Sequence, residues 1–471
     1  MDEARQITAE FAGPTADGAG FKPPPRTISD IAAVLNEHRP DEARVASLRA
    51  LADAESPAGA SGADLGAFLN ERANARIEIG RTNEAIDDFE RSYEADSEVA
   101  TLRNLARAYA IAGRLMDSLR THERTIATLE GQSENRGKLF GAYAGASRAR
   151  TAIGDVETAE SYVAKAENLF TVMAARKGAR EAMATHMDGW RGTVEAARAE
   201  VEVYRGDLEA AERSFRGAIE KMESADANLA AMRRTGGGPP DFTFVRAQAL
   251  FHGQLAKVLL RQGRVVEAEV EARKGLKLSL RTFGRDNADT GTIVRALSIV
   301  LLEQGRFEES ATLSAAAVDI LEKAGQDPGS LRRGKAVREL ATVKVYLGRH
   351  GEALTTFDQL AAVLRSDPQT YRLVLGDALE YGQEMLLAGR ISDAETLFRD
   401  LAERRLKNLG PKNYRSAEAQ GHLAAALAER GDKAGALALY REAAPILLSS
   451  SRLVDDEGGD AKREHSRRFV L

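Results

Sequence analysis

Nine times along the chain, an apolar, helix-like stretch runs into Gly followed at once by Arg or Asp. The pairs begin at Gly80, Gly113, Gly154, Gly206, Gly263, Gly305, Gly348, Gly389 and Gly431. The last five glycines lie 42, 43, 41 and 42 residues apart. Glycine closes a helix at low cost, because without a Cβ it enters the left-handed backbone region freely. A helix terminus that recurs at fixed spacing marks a repeated unit. Such units bury their apolar faces only against their neighbours. The ladder therefore restricts the chain to an all-α solenoid and lifts the size limit that a single core would set on 471 residues.

The units share one pattern. Four or five residues after the turn comes a small residue, then an aromatic or aliphatic one four further on, as in Ala85/Phe89, Ala211/Phe215/Ala218, Ala353/Phe357/Leu360, Ala394/Phe398/Leu401 and Ala436/Tyr440/Ala443. Positions i, i+4 and i+7 share a helix face, so each set forms one stripe. Seven residues before each turn glycine stands another small residue: Ala73, Ala106, Ser147, Ala199, Ala256, Ser298, Ala341, Gly382 or Ala424. A small side chain there lets the two helices of a hairpin approach closely.

This small–Gly–Ala–Phe–Ala spacing resembles the helix-turn-helix signature of the tetratricopeptide repeat (TPR) family, over roughly 64–446. The resemblance implies a right-handed α-solenoid of about nine TPR-like hairpins with an N-terminal helical cap. Units near 42 residues resemble the long-helix subclass of kinesin light chains and bacterial signalling proteins. The links Thr282–Asn287 and Leu409–Asn413 resemble that subclass's loops. In the family, the first helices of successive hairpins line a concave groove, and some members clamp a peptide carboxylate there with Lys and Asn. Asn74 and Asn104 match the two clamp asparagines, whereas Asn70 stands where the first Lys would be and Gly141 and Gly145 replace the third unit's basic pair. The full clamp is absent. What the resemblance leaves is a polar patch of Asn70, Asn74, Arg103, Asn104 and Arg107, able to bond an extended peptide backbone. Lys257, Arg295, Lys335 and Arg338 project toward the same groove and give it a basic character suited to acidic segments.

The pattern divides the chain. Residues 1–26, with Pro23-Pro24-Pro25, read as a flexible lead, and 27–62 as the helical cap, with stripes Ile31/Val34/Leu35 and Val45/Leu48/Leu51. An irregular lobe, 63–222, is separated from a regular one, 245–448, by a Gly/Pro loop or hinge at 223–244. Residues 449–471 read as a polar linker and the start of a terminal helix, either a capping helix or the approach to a further domain.

Composition narrows the function classes. The 66 basic and 71 acidic residues nearly balance without a run of one sign, which argues against nucleic acid or an anionic membrane as partner. No cysteine occurs, so disulfides, thiolate metal sites and Cys nucleophiles are excluded. The seven histidines fall singly in different units, and Gly236–Gly238 lacks the Lys-Ser/Thr of a phosphate loop. His122 and Trp190 read as packing residues. No catalytic residue, cofactor or metal is expected. No basic, apolar leader opens the sequence, which favours the cytoplasm. The expected function is protein–protein interaction: a groove holding a peptide or partner domain, as a regulatory or sensor module. Two further possibilities are the TPR half of a bacterial TPR–CHAT (caspase-like) protein, with a cis-tethered partner domain, and the sensor region of a transcription regulator.

Overall fold

A computed structural model describes residues 24–37, 42–112, 114–131, 136–174, 179–236, 243–449 and 461–470. Among them are twenty-two helices and no strand. Helices α1 (Ser29–Glu37) and α2 (Glu42–Ala52) precede nine hairpins. The first four are α3 (Gly62–Glu78) with α4 (Thr82–Asp96), α5 (Val99–Ile111) with α6 (Leu115–Leu129), α7 (Arg136–Ile153) with α8 (Val156–Ala174), and α9 (Ala179–Arg205) with α10 (Leu208–Gly236). The next three are α11 (Thr243–Arg261) with α12 (Val265–Phe283), α13 (Ala288–Glu303) with α14 (Phe307–Lys323), and α15 (Leu331–Tyr346) with α16 (His350–Leu364). In the eighth, the first helix is broken into α17 (Pro368–Leu375) and α18 (Leu379–Leu387), which pair with α19 (Ile391–Leu409). The ninth joins α20 (Tyr414–Arg430) to α21 (Lys433–Ser449), and α22 (Ala461–Val470) follows.

The ladder glycines work as the sequence predicts. Eight of them have φ between +71° and +93°; Gly113 lies outside the described residues. The residue after each glycine donates its N–H to the carbonyl five residues back, as from Arg264 to Leu259 and from Asp432 to Leu427, both at 2.9 Å. That bond satisfies an orphan carbonyl at the helix end. The Arg-or-Asp choice has a reason the spacing did not reveal. Arg114 and Arg390 pair with the acid three residues on, Asp117 and Asp393, and Arg81, Arg264 and Arg306 do the same with Glu84, Glu267 and Glu309. Where Asp follows glycine, its carboxylate instead caps the next helix directly, accepting from Ala210 N–H (Asp207, 3.0 Å) or Gly435 N–H (Asp432, 2.9 Å). Both arrangements put negative charge at the positive end of the second helix.

All nine small residues before the turns are buried, eight of them at 0% exposure. Gly382 shows why: a Cβ there would lie 2.4 Å from the Phe398 ring. The stripe residues Phe89, Phe215, Phe357 and Phe398 fill the hairpin cores. Two boundaries differ from expectation. Helix α10 runs through 223–236, because that stretch is rich in helix formers and Ala225 is fully buried; Gly and Pro crowd the chain only afterwards. Residues 237–242 of the expected loop, 1–23 of the lead, 450–460 of the linker and the side chains of Val34 and Val45 lie outside the described residues. The eighth hairpin's inner helix breaks at Gly376-Asp377, within the lobe expected to be regular.

First helices touch one another along the array (α11 with α13, α13 with α15, α18 with α20), so they form the inner face. The curvature is strong enough for the array to meet itself. Gln326 Nε2, after the sixth hairpin, donates to the Glu78 carbonyl at the first turn (3.2 Å). Thr370 Oγ1, after the seventh, donates to the Ala112 carbonyl at the second turn (3.3 Å). Helix α2 packs on α3 through Leu48, Leu51 and Ala52. Helix α1 instead reaches the outer helices of the fifth and sixth hairpins, where Asp30 pairs with Arg273 at 2.8 Å and Ile28 N–H donates to Glu309 at 2.9 Å.

Candidate functional site

Closure brings first helices of distant hairpins face to face across the concave side, and the space between them is the channel. Arg246 on α11 bridges Glu78 on α3 (3.3 Å) and Asp289 on α13 (3.0 Å), and Arg332 on α15 also reaches Asp289 (3.0 Å). Arg107 lies 3.9 Å from Glu78 with its side chain 49% exposed. Burial lowers the Arg107 pKa, as do Arg246 and Arg332 across the channel, while Glu78 and Asp289 oppose the shift. Protein surrounds this guanidinium on several sides while water still reaches it.

The sequence-predicted residues fall into two groups on this face. In the first, the asparagines bond one another: Asn74 Nδ2 donates to the Asn70 carbonyl at 2.7 Å, and Asn104 Nδ2 to Asn70 Oδ1 at 3.1 Å. Those two bonds already occupy one amide proton of each, and Arg103 stands exposed beside them. Gly145 is required by packing, since a Cβ would lie 2.2 Å from the His122 ring. His122 is buried, and burial lowers its pKa to about 4. Trp190 stacks on Phe140, with ring centres 5.1 Å apart.

The second group comes from three consecutive first helices: Lys257 on α11, Arg295 on α13, and Lys335 and Arg338 on α15. Arg295 is 8% exposed and makes no hydrogen bond or ion pair among the described residues. Lys257 donates to Gln254 Oε1 (3.2 Å) and Arg338 to the Val374 carbonyl (3.3 Å). Burial holds Lys257 down to about 7, helped by Arg295, Lys335 and Arg338 and opposed by Glu200 on α9. Lys335 is held at about 8 by burial, Arg295 and Arg338. Four cations crowd together, with Glu200 opposing the shift of Lys257 and the buried Glu339 opposing that of Arg295.

The sequence reading missed a neighbouring acidic shelf: Glu303 on α13, Glu339 on α15, Glu380 on α18 and Glu418 on α20. The Tyr346 hydroxyl is pushed well above its usual pKa by burial and then by Glu380, Glu303, Glu418 and Glu339, so the four carboxylates converge around it. Glu339 is 1% exposed, and Glu418 pairs with Arg405 at 2.9 Å. A cavity of ≈ 490 Å³ lies among these residues, and Lys462 and His465 of α22 line it too. Glu303, closing the apolar run of α13, was the one available signal. Among the described residues, no group of three or more His, Asp or Glu could hold a metal ion, and no helix is long and apolar enough to cross a membrane.

Tetratricopeptide repeat profiles match residues 246–323 and 382–447. A comparison with curated proteins returns no match. Among solved structures, the chain is similar to Rap protein complexed with competence and sporulation factor (13% identity, 76% of this chain and 99% of that one, TM-score 0.45). It is similar to a signal transduction ATPase with a tetratricopeptide repeat sensor from Pyrococcus horikoshii (13% identity, 88% and 56%, TM-score 0.45). It also resembles BtubC from P. vanneervenii (13% identity, 55% and 91%, TM-score 0.38).

Proposed function

Because the chain belongs to the tetratricopeptide repeat family, we propose that it is a protein-interaction scaffold whose channel holds an acidic segment of a partner protein. The observation that carries this reading is Arg295: a cation 8% exposed, set among Lys257, Lys335 and Arg338, and attracted by Glu339 without forming an ion pair among the described residues. A buried charge lacking a partner costs several kcal/mol, so folds rarely keep one without a use. A carboxylate entering the channel would supply the missing charge and bond the guanidinium in its fork geometry. The Asn70/Asn74/Arg103/Asn104/Arg107 patch supplies further donors to a segment running along the face toward α3 and α5. Nothing in this reading requires bond-making chemistry, and it assigns no catalytic residue.

The test is fluorescence anisotropy with a labelled Glu-rich dodecapeptide and a Gln-rich control. The wild type binds the acidic peptide, and the Arg295→Gln/Lys335→Gln variant binds it at least about tenfold more weakly, one lost charged hydrogen bond being worth roughly 1.5–3 kcal/mol. Equal binding of the two peptides, or no effect of the substitutions, refutes the reading.

A further inference from the structure

The second inner feature adjoins the basic cluster, since Arg338 lines the same cavity as Glu303, Glu339, Glu380 and Lys462. Helix α22, Ala461–Val470, lies along the concave face against α20 and α13. Its sequence AKREHSRRFV carries Lys462, Arg463, Arg467 and Arg468 against one carboxylate, Glu464. The polar side meets the shelf: the Lys462 backbone N–H donates to Glu303 Oε2 (3.3 Å), and its ammonium lies 3.9 Å from Glu303 Oε1. His465 Nε2 lies 3.1 Å from Gln383 Oε1, and its ring sits 4.6 Å from that of Tyr346. Arg463 covers the Tyr414 ring at 4.9 Å. The apolar end is anchored harder. Phe469 stacks on the buried His422 at 5.3 Å and 12°, and Val470, 6% exposed, packs with Ala417, Ala443 and Leu447. Gly421 makes room for it, since a Cβ there would lie 2.4 Å from Val470 Cγ1.

We propose that the acidic shelf is a docking site for basic amphipathic helices, with α22 its tethered occupant and a partner protein's helix of the same chemistry its exchangeable one. The fit is specific in two respects. Lys462 meets Glu303, while Arg467 and Arg468 pair with Glu464 of the same helix, and an aromatic–aliphatic pair enters a slot that Gly421 keeps open. The contacts are those of an amphipathic helix seated in a groove, with side chains one turn apart as anchors. Only residues 450–460 separate α21 from α22. A tether of that length gives an effective concentration of about a millimolar, so a free helix competes only when it binds more tightly or when α22 is weakened.

The experiment uses the full chain and, as probe, a labelled peptide copying residues 461–470. Three proteins are compared: the wild type, a release variant Phe469→Asp/Val470→Asp, and a lock variant Gly421→Cys/Val470→Cys. The chain has no other cysteine. The Gly421 Cβ position lies 3.4 Å from Val470 Cβ, near the span of a disulfide. Under mild oxidation the lock variant loses both free thiols. The release variant binds the probe at least about tenfold more tightly than the wild type, and the oxidised lock variant binds less than its reduced form. Persistence of free thiols overturns the docking of α22 whatever the release variant does. Equal probe affinity in wild type and release variant overturns exchange, as does equal binding of a probe whose four cations are Glu. Concentration-dependent dimers that disappear in the release variant would make a second copy of this chain the occupant and overturn the partner helix.

Discussion

Replacing Lys257 with Met tests directly whether the channel cations are held against their preference. The folded chain keeps this ammonium at about 7 instead of the usual 10.5. At 1.36 kcal/mol per pH unit, that gap corresponds to roughly 5 kcal/mol. Channel water screens part of it, and Met gives up the hydrogen bond to Gln254 and the attraction of Glu200. A net gain of about 2 kcal/mol is expected where the ammonium is charged in the folded state. The sign follows from proton binding. The unfolded chain keeps the proton up to about pH 10.5, the folded chain only up to about pH 7. The wild type therefore carries its full penalty below pH 7 and sheds it between pH 7 and 10.5, as the unfolded state binds more protons. For a chain of this length, with roughly 2 cal/mol/K of unfolding entropy per residue, 2 kcal/mol raises Tm by about 2 °C. Calorimetry of both proteins at about pH 6 and about pH 9.5 should show the variant ahead at the lower pH and no longer ahead at the higher, where the wild type has shed more than the variant's gain. A Tm difference equal at both values, or a variant less stable at the lower pH, refutes the reasoning.

Three further outcomes follow from the geometry. Gly382→Ala drives a methyl into Phe398 and should cost about 1–3 kcal/mol by thermal unfolding, with partial recovery on adding Phe398→Leu; full stability of the single variant would contradict the close approach. Gly80→Ala meets both a φ of +81° and the Gln326 backbone at 2.8 Å, so the superhelix should open, read as a larger radius of gyration in small-angle X-ray scattering; an unchanged radius would count against the closure. Acidic-peptide affinity should fall as pH rises from about 6 to about 9, because Lys257 and Lys335 lose their protons at about 7 and about 8. A flat pH profile would remove those two lysines from the site.

The sequence exposed the repeated parts of this molecule and hid those that depend on accumulated rotation. Turn glycines, buried small residues and aromatic stripes recur at fixed spacing because each hairpin solves the same local problem. Gln326 meeting Glu78 and Thr370 meeting Ala112 involve partners 248 and 258 residues apart, brought together only by the curvature of several hairpins. The basic residues were legible in the sequence, since Arg295 and Arg338 stand at the same place, ten residues before their turn glycines. The carboxylates were missed because Glu303 and Glu418 stand two and thirteen residues before theirs, a scatter no repeat pattern reveals. Spacing located Asn70, Asn74 and Asn104 on one face, but it did not reveal that Asn104 bonds the Asn70 side chain while Asn74 bonds the Asn70 backbone carbonyl.

Hydrogen–deuterium exchange on the full chain, with and without a saturating Glu-rich peptide, tests the central claim most directly. Protection confined to the inner helices α11, α13 and α15, with the outer helices α12, α14 and α16 unchanged, is the predicted result. Protection on the outer helices, or none at all, would contradict a channel that holds an acidic partner segment.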